Sequence, residues 1–291
     1  MGVNIPPVVS TLLSTPWRNT SLAILPILLI LHRVLKRPTR PRKVTKLGER
    51  VLVLGATSGV GRTIARQYAA RGARVCMVGR RAVLLDEVER EYTLVVSAGV
   101  SALQPLMAVA GVQVEQSVKI QDATEENIQR TASIAGAALQ GNYIGPLVAA
   151  VTFIPLLSNT SKAPSIVLIN SLASVVPAPT RTLYASTKSA SLVLYQALSI
   201  EHPDITFTCF MPSTIEGDFR ASAVDSGPVR ESDPNKHGLK RETVAQRCIR
   251  AADYGEKAVF MPGTMRFAHL LYWIWPSLVE RLAMKKYNFK V

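Results

Sequence analysis

Between residues 50 and 263 the apolar positions fall into short blocks separated by longer stretches with helical spacing. RVLVL at 50–54 is short, apolar and β-branched, and stops at Gly55, which predicts a buried parallel strand. VGRTIARQYAARGA, from Val60, has apolar positions at helical spacing and a stop at Gly72. Further strands are predicted at 74–78, TLVVSAG (93–99), SIVLINS (165–171), ITFTCFMP (205–212) and KAVFMPG (257–263), with helical stretches between most of them. RRAVLLDEVERE (80–91) reads as a helix that runs straight into the strand at 93. Alternation of this kind implies the α/β class, with one doubly wound, Rossmann-like parallel sheet. Residues 100–125 read as a polar, poorly ordered loop, and 218–245 as a solvated lid.

The two ends break the pattern. LAILPILLIL (22–31), extended to Asn19 and Leu35, is a marginal transmembrane helix beside the roughly 20 apolar residues a straight span needs. A tilted interfacial anchor and a signal peptide are the alternatives. The start, MGVNIPPVV, has no Lys or Arg, and the apolar run is followed by Arg33, Lys36, Arg37, Arg40, Arg42, Lys43 and Lys46. Those flanks favour a membrane anchor whose downstream domain faces the cytosol. Pro38 and Pro41 make the basic stretch an extended linker. AHLLYWIWPSLVERLA (268–283) places Tyr272, Trp273 and Trp275 ahead of Lys285, Lys286 and Lys290. It reads as an amphipathic membrane contact, with a helix packed on its own domain as the alternative. The organisation expected is anchor and linker over 1–47, an α/β domain over 48–263, and a C-terminal membrane-contacting segment over 264–291.

Charge sharpens this division. The chain has 291 residues and a formal charge of +14. Residues 1–50 hold nine basic and one acidic residue, and 264–291 hold five and one. The middle carries twenty and eighteen. Such a distribution argues for a membrane surface and against nucleic acid as partner. Cys76, Cys209 and Cys248 are widely spaced. They suit a reducing compartment and show no metal spacing.

Two motifs carry chemistry. GATSGVG (55–61) lies between the first strand and the first helix, where a phosphate can rest on a helix N-terminus. After the second strand comes Gly79-Arg80-Arg81, with Arg80 25 residues beyond Gly55. An acid there would take the ribose hydroxyl of NAD, whereas an arginine suits the 2′-phosphate of NADP(H). Tyr184 and Lys188 are four residues apart, on one face of a helix. A nearby cation favours a tyrosine's charged form and makes it a usable proton donor and acceptor. By itself the pair reads as an ordinary exposed helix pair.

The spacing G-x3-G-x-G at 55–61, Asn142-Tyr143-Ile144-Gly145, Ser171 and Tyr184-x3-Lys188 together resemble the classical short-chain dehydrogenase/reductases over about 48–263. The two ends resemble that family's membrane-attached branch, which includes hydroxysteroid dehydrogenase-like and 3-ketosphinganine reductase-like enzymes. The resemblance implies an NADP(H)-dependent oxidoreductase that interconverts a ketone and a secondary alcohol on a hydrophobic, lipid- or steroid-like molecule. It implies Ser171, Tyr184, Lys188 and Asn142 as catalytic residues. Gly55, Thr57, Ser58, Gly59, Val60, Gly61, Arg80, Ala98, Gly99, Tyr184, Lys188, Pro212 and Ile215 would bind the cofactor. Lys188 would hold the nicotinamide ribose, Ser171 the substrate oxygen, and Asn142 a water relay to Lys188. A homodimer, and the endoplasmic reticulum membrane with the catalytic domain facing the cytosol, complete the expectation.

Three departures qualify the resemblance. Val96 and Ser97 stand where the family has two asparagines. Ser213 and Gly217 replace a glycine and a threonine after the 205–212 strand, with Thr214 as a substitute for the lost contact. A strand and helix that the family places after Glu91, with an adenine-contacting aspartate, are missing, so the sheet is expected one edge strand short. A catalytically impaired nucleotide-binding relative is the alternative reading.

Overall fold

The computed structural model describes residues 40, 44–79, 93–112, 122–230 and 233–289. The apolar run at 22–31, Arg80 and the helix expected at 80–91 lie outside the described residues.

The chain opens with β1 (Arg50–Leu54), α1 (Gly59–Ala70), β2 (Arg74–Val78) and β3 (Thr93–Val96). The short α2 (Leu106–Val109) leads to α3 (Glu125–Leu139), a π-helical turn (Gln140–Ile144) and α4 (Gly145–Thr160). β4 (Ser165–Ile169), α5 (Thr182–Glu201), β5 (Thr206–Pro212), α6 (Pro234–His237), α7 (Arg241–Tyr254) and β6 (Ala258–Met261) follow. α8 (Met265–Ile274) and α9 (Pro276–Lys286) come last. The six strands among the described residues are all parallel, in the order β2-β1-β3-β4-β5-β6.

Both faces of the sheet are covered, which is why the middles of its strands read as apolar runs rather than alternating apolar and polar positions. The two-residue period sends Val51, Val53, Val95, Val167 and Phe210 to one face. There they meet Ile64, Ala65 and Tyr68 of α1 and Val244, Ala245 and Cys248 of α7. Leu52, Leu94, Ile166, Leu168 and Met211 turn to the other face. They pack on Ala149, Phe153 and Leu157 of α4 and on Leu192 and Tyr195 of α5. Each fully buried aliphatic side chain contributes about 1.5–3 kcal/mol. The continuous helix over 125–160 is long and apolar enough to cross a bilayer, yet Ala149, Ala150, Phe153, Ile154 and Leu157 bury one side of it in this core.

Among the described residues the sheet has the expected shortened form: β2 lies at its edge, with Met77 57% exposed, and the next strand in sequence, β3, pairs on the far side of β1. Because β1 connects toward β2 while β3 leads to the opposite side, their C-terminal loops diverge. That switch point opens a crevice above the strand ends.

Two expectations need correction. Residues 100–112 are packed, not a polar loop: Ser101, Ala102, Leu103, Val109 and Val112 are buried and α2 lies within them. The physical cause is Asp225, whose carboxylate accepts hydrogen bonds from the Leu103 and Gln104 amides at 2.7 and 2.8 Å. The same bonds anchor the start of the supposed lid, in which Arg220 and Asp225 are both buried. The helix expected at 268–283 divides at Trp275-Pro276 into α8 and α9, because Pro276 has no amide to continue the first helix.

At the opposite end of the strands, Arg40 is buried although it belongs to the basic linker stretch. It pairs with Glu49 at 2.8 Å and donates to the Ala163 carbonyl at 3.1 Å. Glu49 also pairs with Arg71, and Arg71 with Asp253 at 2.9 Å.

Candidate active site

The crevice is a cleft of about 750 Å³. One wall is the turn from β1 to α1. Gly55 has φ +84°, and a Cβ there would come within 2.6 Å of the Ala98 amide nitrogen. A Cβ on Gly61 would meet the Gly55 carbonyl oxygen at 2.4 Å. Only glycines let the turn close this tightly against the segment after β3. A Cβ on Gly59, by contrast, would meet nothing within 4 Å. Ser58, at the N-cap of α1, makes no side-chain cap, and the first turn holds no acid. The free amides and the positive end of the helix dipole therefore face open space, an arrangement that takes an anionic group such as a pyrophosphate. The residues present thus fit a nicotinamide dinucleotide.

The opposite wall is built by β4 and α5. Ser171 begins a 3₁₀ turn and its Oγ accepts from the Ala173 amide at 3.2 Å, which leaves its own proton to donate. Lys188 is buried, with Nζ donating to the Ile169 carbonyl at 3.1 Å. Burial lowers its pKa to about 8, because the charged amine loses its hydration. Asn170 fixes the helix to this strand end by donating to the Lys188 carbonyl at 3.0 Å while accepting from the Ser171 amide at 2.7 Å.

Of the residues the sequence singles out, Gly55, Thr57, Ser58, Gly59, Val60, Gly61, Ala98, Gly99, Ser171, Tyr184, Lys188, Pro212 and Ile215 line this one cleft. Arg80 lies outside the described residues. Asn142 is fully buried behind the lining. The π-helical turn aims its side chain at the segment after β3, where Oδ1 accepts from the Val100 amide at 2.9 Å and Nδ2 donates to the Val100 carbonyl at 3.0 Å. Nδ2 also reaches Thr187, the neighbour of Lys188, at 3.1 Å. Its side chain thus braces the cleft floor; a Cβ on Gly99 would stand 2.9 Å from Asn142 Oδ1 and 3.3 Å from Lys188 Nζ.

Sequence reasoning missed several cleft residues. Arg181 stacks over the Tyr184 ring, 4.3 Å from its centroid, and Phe219 meets that ring edge-on at 6.0 Å. Lys286 and Tyr287, from the C-terminal end, also reach the cleft. The position of Arg181, one turn before Tyr184, was the only signal available.

The short chain dehydrogenase family model matches residues 92–226. Dehydrogenase/reductase SDR family member 7B of Bos taurus is 28% identical over 67% of this chain and 65% of its own, just under two thirds of its length. The 11-beta-hydroxysteroid dehydrogenase A of Sesamum indicum is 26% identical over 80% of this chain and 74% of its own. Among solved structures, a short chain dehydrogenase/reductase of Burkholderia phymatum in complex with NAD superposes with a TM-score of 0.63 at 14% identity, covering 81% and 96% of the two chains. The family model takes in β3 through the Tyr184 helix, including Ser171, Tyr184 and Lys188, and the fold places the glycine turn opposite them; the chain is similar to the short chain dehydrogenases over residues 92–226 and shares their fold.

Proposed function

We propose that this chain is a membrane-attached NADP(H)-dependent oxidoreductase that interconverts a ketone and a secondary alcohol on a hydrophobic molecule. The observation that carries the reading is the placing of Ser171, Tyr184 and Lys188 on one wall of a cleft whose other wall is an uncapped helix N-terminus. The bound nicotinamide would supply or accept the hydride. In reduction the Ser171 hydroxyl donates to the carbonyl oxygen and orients it, and the Tyr184 hydroxyl gives that oxygen its proton; oxidation runs the same transfer backward. The Lys188 ammonium offsets the charge left on the phenolate. Arg80, next after Gly79 in the sequence, supports NADP(H), since a guanidinium matches a 2′-phosphate, and Arg62 lines the cleft beside the glycine turn.

The membrane reading rests on both ends of the chain. Phe267, Leu270, Trp273, Ile274 and Trp275 on and beside α8 are exposed, and Lys285 and Lys286 close α9. Aromatic and aliphatic side chains next to lysines suit an anionic bilayer interface. With the apolar run at 22–31, this supports an endoplasmic reticulum membrane protein with a cytosolic catalytic domain. Val148 and Val151 of α4 and Val193 and Ile200 of α5 are also exposed, and support a homodimer through these helices.

Tyr184→Phe tests the chemistry. NADPH oxidation with a panel of hydrophobic ketones should fall about 10²–10⁴-fold, while NADPH affinity stays within a few-fold. Retention of more than about a tenth of the rate would remove Tyr184 from the proton-transfer role, since loss of a general acid costs more than that. Arg80→Asp should shift preference toward NADH; equal affinity of the unaltered chain for both cofactors would refute the NADP(H) assignment.

A further inference from the structure

We propose that Arg181 is a positioning residue that clamps the Tyr184 ring and ties it to the segment covering one end of the cleft. The proposal rests on the reading of Tyr184 as the proton donor. Arg181 is only 7% exposed, and its guanidinium carbon lies 4.3 Å over the ring. A cation desolvated over an aromatic face is held there by the ring quadrupole more firmly than one in water. The same guanidinium donates from Nε to the Ala102 carbonyl at 3.2 Å and from an Nη to Ser101 Oγ at 2.9 Å. Ser101 in turn accepts from the Val224 amide at 2.9 Å through its carbonyl, and Asp225 holds the next two amides, Leu103 and Gln104. Just ahead of Val224 and Asp225 is the 3₁₀ turn Phe219–Ser222, whose Phe219 meets the Tyr184 ring edge-on with centroids 6.0 Å apart.

The contacts form a closed circuit: Tyr184, Arg181, Ser101 and Ala102, Val224 and Asp225, Phe219, and back to Tyr184. A ring held on its face by a cation and at its edge by an aromatic has few rotamers left. The segment that fixes the cation is also the one that carries Phe219. Movement at 219–225 therefore reaches the Tyr184 hydroxyl through packed groups rather than through solvent. Arginine suits this place because its planar fork stacks and donates at once, which a lysine ammonium cannot do.

The test is ¹⁹F NMR of the full chain in detergent, with tyrosines replaced by 3-fluorotyrosine and the Tyr184 signal assigned by its loss in Tyr184→Phe. The wild type should give one sharp Tyr184 signal. Arg181→Met should split or broaden it, or move it by about 1 ppm or more, with a thermal midpoint within about 2 °C of wild type. Arg181→Lys should fail to restore the signal, because charge without a plane is insufficient. A Tyr184 signal unchanged in Arg181→Met, or fully restored by Arg181→Lys, overturns the proposal. If Arg181→Met does not fold, Ser101→Ala decides: a smaller displacement supports the clamp, and none overturns it. None of these readouts depends on turnover, so a failure of Tyr184→Phe to reduce activity would sink the proton-donor reading and leave the clamp separately judged.

Discussion

Lys188→Met should make the cofactor-free protein more stable while removing its activity. Lys188 is 4% exposed, and burial lowers its pKa from an ordinary 10.5 to about 8. At about 1.36 kcal/mol per pH unit, the folded chain at pH 7 carries a penalty of about 3 kcal/mol for holding the buried charge. Below pH 8 the amine is charged in both folded and unfolded chains, so that penalty is present in full. Between about 8 and 10.5 the folded chain gives up the proton while the unfolded chain keeps it, and wild-type stability rises with pH through that window. Methionine has similar length and no charge, but it forfeits the hydrogen bond to the Ile169 carbonyl, worth about 1 kcal/mol. The variant should therefore be about 2 kcal/mol more stable at pH 7, a rise of about 4–8 °C in thermal midpoint for a domain of this size. Tryptophan fluorescence melts of the full chain in detergent, without cofactor, at pH 7 and pH 9.5, measure the difference. It should shrink at the higher pH. A variant that melts below wild type at pH 7, or a difference that ignores pH, would refute the reasoning.

Glu49→Gln should destabilise the fold by about 3–5 kcal/mol in urea titrations, because it strips the carboxylate that Arg40 and Arg71 share in a buried site. Gly61→Ala places a methyl 2.4 Å from the Gly55 carbonyl oxygen, a backbone atom that cannot swing aside; it should cost about 1–3 kcal/mol of stability and, by fluorescence titration, at least about tenfold in NADPH affinity, since a tenfold change needs only 1.4 kcal/mol. Replacing both Trp273 and Trp275 by serine should lower co-sedimentation of the chain with phosphatidylserine-containing vesicles without altering its melting temperature, since both side chains are more than half exposed.

Much of this protein is legible without coordinates because its signals are local. Short apolar blocks bounded by glycine and helical spacing between them specify a parallel sheet covered on both faces. GATSGVG marks the strand–turn–helix, and the four-residue step from Tyr184 to Lys188 puts both on one helical face. The short connection is legible as well, since the sequence leaves only 79–92 between β2 and β3, and among the described residues no strand lies beyond β2. What required tertiary structure involves partners distant in sequence. Asp225 turns an apparently polar loop at 101–104 into buried structure from about 120 residues away. Arg40 reads as one more charge in a basic linker until Glu49 and Ala163 surround it. Asn142 is spaced like a member of the catalytic set, but its side-chain direction depends on a π-helical turn that no hydrophobic period encodes. Arg181 has no motif of its own; its meaning comes from the ring it covers and the two residues it holds, about 80 positions earlier in the chain. Periodicity and spacing determine which elements form, because those are properties of consecutive residues. Which side chains meet over the cleft depends on how the sheet order brings separate loops to one edge, and only the folded chain decides that.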